Sequence, residues 1–99
     1  MRAPYAYYAC HALRYYFSHP PNGIFFSQAE QQNWQACHDA ILPCDDGTKA
    51  LLKEIFADRQ DSMKDIVAET AKNHAKNPND LWTLIAQVEK RFARYRGLI

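Results

Sequence analysis

Glycine is scarce in this 99-residue chain: only Gly23, Gly47 and Gly97 occur. Three scattered glycines cannot build the loop that cradles a phosphate, which excludes a nucleotide site of that type. Cysteine is scarce as well, at Cys10, Cys37 and Cys44. Three cysteines with no secretory signal point to a reducing compartment rather than a disulfide framework. The pairs Cys10-His11 and Cys37-His38 lack the short, turn-borne spacing of zinc ligands, and neighbours on a helix point about 100° apart. Cys10 and Cys37 therefore read as small core residues, and no metal or cofactor is expected. Long apolar runs are missing too, since nothing approaches the roughly 20 residues of a membrane span. Tyr5 to Phe17 is aromatic and small rather than aliphatic, and His11 and Arg14 interrupt it, so it does not read as a signal peptide. A cytoplasmic location is the default expectation. No carboxylate pair has an acid–base arrangement, and no Cys–His pair has an orienting carboxylate or oxyanion loop. The expectation is that the chain is not an enzyme.

Net charge is +1, which gives no global attraction to nucleic acid. The distribution says more. Residues 1–26 hold Arg2 and Arg14 and no acids, residues 27–60 hold three cations against six acids, and residues 61–99 hold seven against five. The last turns gather Lys90, Arg91, Arg94 and Arg96 against Glu89 alone, a local basic patch of the kind that holds phosphates. Cations near a helix C-terminus also complement its dipole with no partner at all.

What the chain does have is helical periodicity. A first helix is predicted over Pro4 to His19, ended by Pro20-Pro21-Asn22-Gly23, with Tyr5, Tyr8, Ala12 and Tyr15 sharing one face. Those rings read mainly as core with a half-wet rim, and secondarily as a partner surface or stacking platform. Ile24-Phe25-Phe26 reads as a short extended plug. Ser27-Gln28-Ala29-Glu30 is a capping box opening a second helix to about Leu42, with Trp34, Cys37 and Ile41 inward and Pro43 as its stop. Asp45 or Asp46 caps a third helix carrying Leu51, Leu52, Ile55 and Phe56, and Arg59-Gln60-Asp61 leads onward. Ser62 with Asp65 opens a fourth, carrying Met63, Ile66, Val67, Thr70 and Ala71. The pattern breaks across 73–78, where Asn77 suits an N-cap with Pro78 at the first helical position. A fifth helix carries Leu81, Leu84, Ile85, Val88 and Phe92 and stops at Gly97, with Trp82 just off that stripe and packed on the N-terminal helices. The expected fold is all-α: a single domain of about five helices, with residues 1–44 as a two-helix collar and 45–99 as a three-helix half.

Two amphipathic helices joined by a few residues must dock on each other, the helix-turn-helix arrangement. Ala71, Ala75 and Leu81 supply its small–small–aliphatic order. With Thr70-Ala71, Ala75, Leu81, Leu84 and the ending from Val88 to Ile99, residues 47–99 resemble the region-four helix-turn-helix of sigma factors in small phage and prophage regulators. Tyr7 to Tyr16 is similar to the start of such prophage-encoded proteins. Two departures stand out: the motif normally has glycine where Ala75 sits and an aliphatic residue where Lys76 sits. The resemblance implies a DNA-binding transcription regulator whose second motif helix approaches the major groove. Asn79, Thr83 and Gln87 then face base edges, while Lys90, Arg91 and Arg94 hold phosphates. Asp80 opposes phosphates, but the first turn of a helix also favours a carboxylate. One motif and a modest patch bind weakly, so a homodimer or RNA polymerase as partner is expected. The alternative is a phage-encoded protein-interaction module or inhibitor of a host enzyme or defence complex, without DNA binding, since one scaffold serves both uses.

Overall fold

The computed structural model describes residues 3–18, 27–57 and 61–99, and among them the fold is all-helical. Five helices follow in chain order: α1 (Ala6–Ser18), α2 (Gln28–Ile41), α3 (Asp46–Ile55), α4 (Met63–Asn73) and α5 (Pro78–Tyr95). The expected Pro20-Pro21-Asn22-Gly23 stop, the Ile24-Phe25-Phe26 plug and Arg59-Gln60 lie outside the described residues.

Side chains start each of the last four helices. Ser27, Asp45 and Ser62 accept from the backbone N–H of Glu30, Thr48 and Asp65, at 3.2, 2.7 and 3.2 Å. Asn77 accepts from Asn79 N–H at 2.9 Å, with Pro78 next to it. Each cap supplies one of the bonds that a helix start otherwise lacks. Asp45, and not Asp46, is the cap of α3. Hydrogen bonds from the Thr48 backbone and side chain, and then the charge of Lys76, hold the Asp45 carboxyl below its usual range.

Two helices end in the same way. Ala75 N–H bonds to Lys72 O at 3.3 Å and Lys76 N–H to Ala71 O at 2.8 Å; Gly97 and Leu98 repeat the pattern on Arg94 and Ala93. This double bond requires a left-handed residue at its corner, which Gly97 provides at φ +76°. Ala75 adopts the same region at φ +52° despite its Cβ. The turn expected at 73–78 therefore has the backbone of a glycine turn, occupied by alanine.

α5 is the spine of the molecule. It contacts α1 and α2, which also pack on each other, and it contacts α4, which carries α3 on its own flank. Leu81, Ile85, Val88 and Phe92 are buried as the period of the sequence predicts, along with Leu52, Ile55, Phe56, Ile66, Val67 and Ala71 from α3 and α4. A radius of gyration of 13.1 Å matches one packed body of this length, for which about 13 Å is usual.

α1 differs from expectation. Its buried face is Ala6, Ala9, Cys10, Ala12 and Leu13. Tyr5, Tyr15 and Tyr16 are half-buried, Tyr8 is 42 % exposed and Tyr7 77 %. Small residues let α1 approach both α2 and α5, which displaces the rings to the rim where their hydroxyls stay wet. Similarly, Ala36 and Ala40 join Cys37 and Ile41 inside, and Trp34 is only half-buried.

Candidate nucleic-acid interface

At about 100° per residue, Asn79, Thr83, Gln87, Lys90 and Arg94 of α5 fall within an arc of about 80°. That arc is opposite the buried stripe of Leu81, Ile85, Val88 and Phe92, and all five residues are exposed. A continuous polar stripe thus runs along the helix that the rest of the fold holds in place. It begins just after the left-handed turn at Ala75.

The chemistry changes along the stripe. Asn79 offers an amide at the first turn of α5. Thr83 donates its hydroxyl hydrogen to Asn79 O at 3.0 Å, so toward a ligand it presents acceptor lone pairs. Gln87 offers a second amide. With a rise of 1.5 Å per residue, Lys90 and Arg94 lie about 17 and 22 Å along the axis from Asn79. The two cations therefore lie about three to four turns beyond the first-turn amide of Asn79. Asp80 is exposed beside Asn79 and is the single carboxylate in the first turn of α5.

Arg91 has a different role. It is half-buried, its Nε donates to Ala40 O at 2.8 Å and its Nη2 reaches Cys44 Sγ at 3.5 Å. Ala40 is in the last turn of α2, where carbonyls lack helical partners, so Arg91 closes the end of α2. Its guanidinium is committed to the fold, unlike those of the exposed Lys90 and Arg94. Nothing in the spacing of 90, 91 and 94 separates them; only the arrival of α2 does.

Three further features come from the packing rather than from the period of the sequence. Glu89 is 2 % exposed, in a groove of about 350 Å³ with Trp82, Tyr5 and Ala6, against which α1 packs. Lys76 stands exposed on the turn, and its charge acts on Asp45 of α3. His74, the C-cap of α4, lies 2.7 Å from Glu54 of α3 and so ties the turn to that helix. The last two involve turn residues, which carry no periodic signal.

Cys10 and Cys37 are core residues, as expected. Burial pushes the Cys37 thiol far up, which keeps it protonated and inert. Burial also raises the neighbouring Tyr16 hydroxyl, with Cys37 adding to the effect. Among the described residues no group of three or more His, Cys, Asp or Glu side chains is placed to hold a metal, and no helix is long and apolar enough to cross a membrane.

No protein-family model matches the chain, and neither a curated protein nor a solved structure matches it significantly.

Proposed function

We propose that the chain is a DNA-binding regulator of phage or prophage type, using α4, the Ala75 turn and α5 as a helix-turn-helix akin to sigma region four. The observation that carries this reading is the exposed stripe of Asn79, Thr83, Gln87, Lys90 and Arg94, led by base-reading groups and followed by cations. The left-handed backbone at Ala75 supports it, because the glycine of such motifs serves that conformation. Lys76 is exposed, so replacing the usual aliphatic residue sacrifices no core contact.

In this reading the first turns of α5 enter the major groove, and Lys90 and Arg94 neutralise phosphates on its edge. Two phosphate contacts give weak binding, so a second copy of the chain or RNA polymerase supplies the remaining affinity. Chemical-shift mapping with a mixed-sequence duplex at low salt tests the placement. The expected result is a set of perturbed amides confined to residues 75–94 and the exposed side of α4. Shifts confined to α1, or none at all, would reject it.

One observation favours a second reading. Tyr7 and Tyr8 are the exposed tyrosines of α1, and tyrosine is enriched where proteins bind proteins. A protein-interaction module, such as an inhibitor of a host enzyme or defence complex, would use that surface and ignore DNA. Substituting Tyr7 by alanine would then abolish a protein contact and leave any DNA binding unchanged.

A further inference from the structure

A second feature lies between α1 and α2, on different helices from the α5 stripe. There a cavity of about 200 Å³ is walled by Tyr8, Tyr15 and His11 from one helix and by Glu30, Asn33 and Trp34 from the other. Tyr8, His11 and Tyr15 recur at helical spacing, and Glu30, Asn33 and Trp34 do the same across from them. Three electron-rich rings and one carboxylate around so small a volume are the elements of an aromatic cage. Such a cage attracts a cation through the negative faces of the rings and excludes it less severely from water than a dry core does.

The walls are held in place. The Tyr8 hydroxyl donates to Asn33 Oδ1 at 3.1 Å, and its ring lies 6.0 Å from Phe92. Trp34 stacks on His38 at 5.1 Å with planes 9° apart, and Tyr16 approaches it at 5.4 Å. Tyr15, Glu30 and Trp34 each make further contacts of their own. A carboxylate has about four lone-pair sites, so one that already makes a contact can still face a cation. Fixed rings lose little entropy on binding, which favours a small ligand. Arg96 donates to the same Asn33 oxygen, but it lines the adjoining groove with Gln32 and Gln35 and is not part of the cavity wall.

We propose that this cavity binds an alkylated ammonium group, with Tyr8, Tyr15 and Trp34 supplying the aromatic walls and Glu30 the countercharge. A quaternary ammonium suits it better than a primary one. It is weakly hydrated, donates no hydrogen bonds, and therefore leaves no unsatisfied donor among the rings. A lysine ammonium would have to give up water for three donors that mostly face carbon. The same group occurs on free choline-like molecules and on trimethylated lysine side chains.

The test is a pair of titrations on the intact protein, followed by calorimetry and by tryptophan fluorescence. Choline is compared with its neutral isostere 3,3-dimethylbutan-1-ol at matched ionic strength. Trp82→Phe leaves Trp34 as the reporting indole, and calorimetry on the wild-type chain stands even if that variant folds poorly. Choline is expected to bind roughly tenfold more tightly than the isostere, the size of a desolvated cation–π gain. Glu30→Gln, close to isosteric, should weaken choline by a similar factor without altering the isostere. A trimethyl-lysine peptide that binds more tightly than choline would assign the group to a peptide; equal affinity would assign it to a free cation. Equal binding of choline and the isostere, no binding of choline, or an unchanged affinity in Glu30→Gln would each overturn the proposal.

Discussion

Ala75 carries a backbone conformation that suits glycine better than alanine. A left-handed residue with a Cβ costs about 1–2 kcal/mol, and glycine gives part of that back through its greater freedom in the unfolded chain. Ala75 is exposed, so its methyl contributes no packing that would be lost. Ala75→Gly should therefore stabilise the protein by about 1 kcal/mol, raising Tm by roughly 4–8 °C in a thermal melt. An unchanged or lower Tm would contradict the strain. The sequence already marked position 75 as the turn, by its offset from Ala71 and Leu81. It could not mark the sign of φ, because alanine itself gives no signal for a left-handed site.

Helices were legible wherever a cap met a period. Ser27, Ser62 and Asn77 are the caps expected from the sequence, and the stripe from Leu81 to Phe92 is buried except for the half-buried Leu84. What faced a neighbour was harder to see. The tyrosines of α1 dominate its composition, yet alanines and Cys10 form its contact face, because close approach of three helices favours small residues over large ones. Arg91 looked identical to Lys90 and Arg94 until α2 was in place. Two predictions belong at this scale. Arg91→Ala frees the Ala40 carbonyl and should cost about 2 kcal/mol in denaturant unfolding, the usual range for a hydrogen bond from a charged donor. Lys90→Ala and Arg94→Ala, on the exposed face, should cost almost nothing by the same assay. The start of α3 should titrate. Asp45 has a folded pKa held below its unfolded value of about 3.9. Its contribution is therefore complete above that value and fades as pH falls through the folded one. Asp45→Asn keeps a good cap without the charge. Wild type should lose its advantage over this variant on acidification from pH 5 to pH 2, and a constant gap across that range would contradict the assignment.

Seen whole, the molecule divides its work around α5. One side of that helix is the core seam shared with α1, α2 and α4, and the other is an exposed polar stripe. Periodicity made both sides readable, since each depends on positions within one helix. The α1–α2 cavity was not readable, because its walls come from residues some 20 apart in sequence whose meeting depends on how the two helices dock. Counterion release reports directly on the proposed contact between the stripe and DNA phosphates. Fluorescence anisotropy with a mixed-sequence duplex, run from low salt to about 200 mM, gives the slope of log K against log salt. The wild-type chain should bind in low salt and weaken steeply as salt rises. The Lys90→Ala/Arg94→Ala double variant should show a slope shallower by about two, with an unchanged melting temperature. Absence of binding at low salt, or equal slopes for the two proteins, would contradict the account.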